Sequence, residues 1–187
     1  MSSDIFSVRS TVFIALFTAL IAVGAYIAVP IGPVPIVLQN FFVLLTGTLL
    51  GSRKGLSVVV TYLLLGAVGL PVFHSGTGGM GIILGPTGGY LIGYIPAVVL
   101  TGLISKRKGG GESSSALLIL SGALSGAVVV YLFGVPWLKY TLNMSWGKSL
   151  SAGMFPFLIG DAIKVAAVVP ITRWLKPVID NLENETS

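Results

Sequence analysis

The stretch GMFPFLIGDAIKVAAVVPITRWL, residues 153–175, decides the fold. It is long enough to cross the hydrocarbon core of a bilayer, which takes about 20 apolar residues. It is apolar on all faces, and the only charges at its centre are Asp161 and Lys164, three positions apart. Five further runs of the same kind precede it, at residues 11–29, 34–51, 55–73, 88–105 and 116–137. Periodicity does not separate such runs from the buried helices of a soluble protein; their length and number do.

Composition agrees. Of 187 residues, 9% are charged and 54% are hydrophobic, against about 25% charged in a typical soluble domain. Eleven basic and six acidic side chains cannot clothe a soluble globule of this size. Disorder is excluded as well, because disordered chains are poor in apolar residues. The prediction is an all-α integral membrane protein, with six transmembrane helices in one compact bundle and a single domain over residues 1–187. That leaves no room for a separate soluble catalytic domain. The absence of cysteine excludes disulfides, thiolate nucleophiles and cysteine-held metals. The first run is longer than the 7–15-residue apolar core of a signal peptide, so it reads as a retained span.

Charge sets the orientation. With six spans, Arg9, Arg53, Lys54, Lys106, Arg107, Lys108, Arg173 and Lys176 fall on the side of the N-terminus. Lys139 and Lys148 fall on the opposite side, and Lys164 lies within the last span. Basic residues collect on the cytoplasmic side, so both termini are predicted to be cytoplasmic, in a multi-pass plasma-membrane protein. The formal charge of +5 is therefore an orientation signal, not a nucleic-acid footprint.

Asp161 and Lys164 carry the chemistry. Each costs about 2.5–3.5 kcal/mol near the centre of a membrane helix. At i and i+3 they share a face and can neutralise one another. Three roles suit them: a structural ion pair, a proton relay, or a seat for a small ligand bearing N–H groups and a carboxylate. Gly85, Gly89 and Gly93 repeat every fourth residue and bare one stripe for a neighbouring helix. Tyr90 and Tyr94, also four apart, share a face that can line a pocket or form an interfacial belt. Gln39 and Asn40, one turn inside the second span, can bond a ligand or a neighbouring helix.

Other motifs carry little. The G-x-G-x-x-G of residues 76–81 lacks the preceding strand and the later acid of a dinucleotide site. The loop over residues 74–87 reads instead as a mobile flap or a plain connector. Gly147-Lys148-Ser149 resembles the end of a phosphate-binding loop, but Leu142 stands where glycine is required, so the chain has no ATPase motif. His74 is the only histidine and reads as an interface residue, without partners for a metal or a catalytic triad. Residues 106–115 read as a flexible polar linker. Ala15 and Ala19 form a small-residue step that permits close helix contact, within the fold or with another membrane subunit.

Taken together, Val34-Pro35 through Gln39, the segment YLLLGAVGLPVF at 62–73, GPTGGY at 85–90, and Gly160-Asp161 with Lys164 resemble the BioY family. That family is the biotin-specific branch of the substrate-binding S components of energy-coupling-factor (ECF) transporters. The resemblance covers nearly the whole chain. It implies a six-helix bundle with an outward-facing biotin pocket, capped by the loop between spans one and two or between spans three and four. It implies that Asp161, Lys164, Tyr90, Tyr94, Gln39, Gly78 and Gly89 bind the substrate. It implies that Ala15 and Ala19 meet a transmembrane T component, and that two cytoplasmic ABC ATPases supply the energy. No resident cofactor and no enzymatic activity are implied, since ATP is used by the partners. The alternative from another class is a stand-alone proton-coupled carrier of a small carboxylate-bearing solute. Paired inverted repeats, common in such carriers, are not visible.

Overall fold

The computed structural model describes residues 8–106 and 116–184. Helix α1 (Val8–Tyr26) leads into two short antiparallel strands, β1 (Ala28–Val29) and β2 (Ile36–Val37). Helices α2 (Gln39–Ala67), α3 (Met80–Leu84), α4 (Gly88–Ser105), α5 (Ala116–Thr141), α6 (Trp146–Gly153) and α7 (Leu158–Asn184) follow. Among the described residues, five helical stretches are long and apolar enough to cross a membrane. Apart from Lys106, the linker expected at residues 106–115 lies outside the described residues.

The second and third expected spans both fall in α2. A straight helix would hold Gln39 and Tyr62 about 34 Å apart, at 1.5 Å per residue. Instead the Gln39 amide Nε2 donates to the Tyr62 hydroxyl at 2.8 Å. The chain therefore doubles back between them, at Gly51, whose φ of 77° and ψ of −178° are non-helical. Lys106 Nζ donates to the Leu50 carbonyl at 3.2 Å and so closes the outside of the bend. The arms, residues 39–50 and 52–67, pack side by side as a hairpin.

Other ends also move from the expected ones. The first helix stops at Tyr26, and the chain pairs Ala28 with Val37 and Val29 with Ile36, so α2 begins five residues later than the run beginning at Val34. The run at 55–73 ends as helix at Ala67, ahead of Gly69 with its φ of 102°. Helix α5 continues past Pro136 to Thr141, because neighbouring helices and local adjustment tolerate proline in membrane helices. The last run starts with a 3₁₀ turn at Phe155–Phe157, and α7 runs on to Asn184.

Small residues set the packing of α4. A Cβ on Gly126 would lie 2.1 Å from Thr101 Oγ1, so α5 and α4 approach almost backbone to backbone. Polar side chains bond across other helix pairs. The Thr48 and Thr172 hydroxyls lie 2.8 Å apart, and Thr18 Oγ1 donates to the Val58 carbonyl at 3.3 Å. Arg9 near the start of α1 donates to the Leu182 carbonyl near the end of α7. Both ends of the described chain thus lie on one face of the bundle.

The segment between α2 and α4 is fastened down, contrary to the mobile flap the glycines suggested. Phe73 is fully buried, packs edge-on against Tyr62 at 5.5 Å, and occupies the space a Cβ on Gly66 would need. Gly79 N–H donates to the Gly66 carbonyl at 2.7 Å, and Trp137 Nε1 donates to the Gly85 carbonyl at 2.9 Å. The Tyr26 hydroxyl donates to the Pro71 carbonyl. Phe73→Ala is expected to cost about 3–5 kcal/mol and to release this segment. Thermal unfolding in detergent and amide exchange over residues 70–79 would read both effects.

Candidate functional site

The charged pair of α7 lies inside the bundle. Lys164 Nζ donates to Asp161 Oδ1 at 2.9 Å, to Asn40 Oδ1 at 2.9 Å and to the Val37 carbonyl at 2.7 Å. An ammonium has three protons, so all three are engaged. Asn40 Nδ2 donates to Asp161 Oδ1 at 2.8 Å, and the Tyr131 hydroxyl donates to Asp161 Oδ2. The charged side chains of Asp161 and Lys164 are only 11% and 12% exposed. In hydrocarbon an unpartnered charge would be prohibitive; here the desolvation is offset by a close pair with satisfied neighbours.

The local sequence explains the placement. Asp161 and Lys164 are one turn apart in the first half of α7, with Gly160 before them. Val37 belongs to β2 and Asn40 to the first turn of α2, so the β-hairpin and two helices converge on the pair. Tyr131 comes across from α5. The cleft above the cluster has a volume of about 40 Å³. Its walls include Val34, Pro35, Val37, Tyr90, Tyr94 and Phe157.

Chemically the cluster is a donor–acceptor cradle. A carboxylate offers about four lone-pair positions, and three of those on Asp161 are used, which leaves one for an N–H of a ligand. The Asn40 amide uses one of its two N–H groups, which leaves one for a carbonyl. The bond from Lys164 to Val37 ties the hairpin to the site. Lifting the hairpin would free one ammonium proton.

Four of the expected residues meet here: Asp161, Lys164, Tyr90 and Tyr94. Tyr94 is 3% exposed, and the Tyr90 hydroxyl donates to the Gly153 carbonyl at 2.8 Å. Three others do not. Gln39 is turned to Tyr62 within the α2 hairpin, and its neighbour Asn40 takes the place expected for it. Gly78 lies against the Leu70 backbone, where a Cβ would come within 2.2 Å of the carbonyl oxygen. Gly89 packs on α5, its Cβ position 2.2 Å from Trp137 Cβ. Gly78 and Gly89 are both tightly packed, and neither borders the cleft.

Tyr131 and the Val37 carbonyl are contributors the sequence reading missed. A carbonyl has no signature in sequence. Tyr131 had one: the single tyrosine of an apolar span, away from the interfacial positions where tyrosine collects. His74 sits in a turn outside the cleft, where burial lowers its pKa below the usual histidine value. Among the described residues no cluster suits a metal ion. Ala15 and Ala19 are exposed on the outer face of α1, beside Val12, Leu16 and Val23.

A sequence model of the BioY family matches residues 1–181. The chain belongs to the BioY family. Among its BioY relatives, the biotin transporter BioY of Thermotoga maritima is 42% identical over 168 residues, covering 90% of this chain and 96% of that protein. The probable biotin transporter BioY of Pyrococcus horikoshii is 41% identical over 163 residues, covering 87% and 93%. A 2.1 Å crystal structure described as the S-component for biotin from an ECF-type ABC transporter superposes with a TM-score of 0.84. It is 34% identical, with 91% of this chain and 92% of that one covered. The all-helical membrane fold read from the apolar runs is thus the fold of a solved transporter component, and this chain is a multi-pass membrane protein.

Proposed function

We propose that this chain captures biotin at the outer face of the membrane and delivers it for import by an ECF-type transporter. The observation that carries the reading is the cluster of Asn40, Tyr131, Asp161 and Lys164 at the floor of a cleft walled by Tyr90 and Tyr94. Biotin has a compact ring, a ureido group with two N–H donors and one carbonyl, and a valerate carboxylate. The vacant lone pair of Asp161 accepts a ureido N–H, and the spare Asn40 N–H meets the carbonyl. Buried groups of this kind reject analogues that leave them unpaired. The narrow cleft requires the hairpin of β1 and β2 to lift as the ring enters, which exchanges the Lys164 bond to Val37 for one to the ligand.

Six crossings follow if the two arms of α2 each span the membrane with their flanking residues. Both ends of the described chain on one face fit an even number, and basic residues collecting on the side of the N-terminus assign that face to the cytoplasm. The whole chain then forms a single domain. Energy comes from a transmembrane T component and two ABC ATPases, with the T component meeting α1 at Ala15 and Ala19. The chain is a transporter component and not an enzyme. The stand-alone proton-coupled carrier is set aside, because the solved structure it resembles is one component of an ABC transporter.

Isothermal titration of the solubilised protein tests the reading. Biotin should bind one to one, and thiamine and riboflavin should give no heat; no heat with biotin contradicts it. Tyr131→Phe removes a hydrogen bond to a charged acceptor, worth about 1.5–3 kcal/mol, and should weaken biotin binding by about tenfold to a hundredfold in the same titration.

A further inference from the structure

A second hollow lies behind the cluster. It is a groove of about 780 Å³ between α5 and the α6–α7 segment. Its lining is apolar apart from Tyr131 and Asp161 at its inner wall, and includes Leu124, Val128, Leu132, Trp146, Leu150 and Leu158. Leu124, Val128 and Leu132 are half-exposed or more. They belong to a helix long and apolar enough to cross the membrane, so the groove faces hydrocarbon. From Leu120 to Pro136 it follows α5 for about 24 Å at 1.5 Å per residue. The hydrocarbon depth of one leaflet is about 15 Å, half of the core. The groove is longer than that depth, so it can hold one extended acyl chain of the adjoining leaflet along its whole length.

The mouth is marked by charge. Lys139 and Lys148 are the only charged side chains between Ala116 and Gly160. Lys139 Nζ sits 5.2 Å from the centre of the Trp146 ring and 4.8 Å from that of Tyr140. Trp146 itself lines the groove. Among the described residues Lys139 has no carboxylate partner. A cation held on two aromatic rings at the mouth of a hydrocarbon slot is complementary to a headgroup of negative charge, and tryptophan is a residue enriched at the headgroup level.

We propose that this groove binds an anionic phospholipid, one acyl chain lying along α5 and the phosphate beside Lys139. The chain passes behind Tyr131 and Asp161, and so keeps water from the outer flank of the cluster. The groove shares Tyr131 and Asp161 with the cluster as a common wall, but the lipid proposal does not rest on the biotin reading.

The test reconstitutes the full chain in nanodiscs holding equal phosphatidylglycerol and phosphatidylcholine, re-extracts it, and counts retained lipids by native mass spectrometry. The wild type should retain phosphatidylglycerol over phosphatidylcholine. Lys139→Gln should lower phosphatidylglycerol retention by about fivefold, the worth of one lysine near a membrane surface, and leave phosphatidylcholine unchanged. Val128→Trp, on a lipid-facing position that tolerates bulk, should fill the groove and remove both. Equal retention of the two lipids by the wild type overturns the proposal, as does unchanged phosphatidylglycerol retention in either variant.

Discussion

Replacing Asp161 by alanine is expected to abolish measurable biotin binding and to destabilise the bundle by about 3–5 kcal/mol, the cost of leaving a buried charge without its partner. The Lys164 ammonium would keep only the neutral oxygens of Asn40 and Val37, at 2.9 Å and 2.7 Å. Asn40 and Tyr131 would each lose an acceptor. Adding Lys164→Met to Asp161→Ala separates the two effects. An apolar replacement of a buried pair is often neutral for stability, so the double variant should regain most of the lost melting temperature. Its biotin titration should stay flat. A double variant that recovers both stability and binding would make the pair purely architectural.

The second large effect is expected at the chain reversal. Gly51 combines φ 77° with ψ −178°, a region that essentially only glycine visits, at about 1–3 kcal/mol for other residues. A Cβ there would also come within 2.5 Å of Lys106 Cε, pushing that side chain off the Leu50 carbonyl. Gly51→Val should therefore lower the thermal midpoint in detergent and open the hairpin that holds Gln39 against Tyr62. Biotin affinity should fall with it, because Asn40 rides on the first arm of that hairpin. Gly147→Ala is the control: nothing lies within 4 Å of its Cβ position, and its effect should stay within about 0.5 kcal/mol.

The fold was legible because the bilayer imposes a length. Apolar runs of the required size announce helices whatever their faces look like, and each expected span has a helical counterpart. Their ends were less legible. Val34–Val37 read as helix by hydropathy, but serve as a strand and a wall of the cleft. The polar break at Gly51-Ser52-Arg53-Lys54 marked the turn, while its tightness depends on a backbone conformation that hydropathy does not express.

The site divides along a similar line. Charges in an apolar helix are legible by their cost, and Tyr90 and Tyr94 by their spacing of four. Gln39 and Asn40 show what is not. Neighbours on a helix point about 100° apart, so the rotation of α2 against α7 decides which amide meets Lys164, and that rotation is set by packing over the whole bundle. Gly78 and Gly89 entered through the resemblance, and in the structure both sit in tight packing, against the Leu70 backbone and Trp137. The loop over residues 74–87 looked loose from its glycines, yet its start is held by Phe73, whose burial depends on its contact with Gly66.

The structure of the protein with biotin bound is the most direct test of the account. The ureido ring or carboxylate should lie within hydrogen-bond reach of Asp161, Lys164 or Asn40, between Tyr90 and Tyr94, with the Val37 carbonyl drawn away from Lys164. Biotin bound elsewhere, with the four-residue cluster intact and untouched, would contradict it.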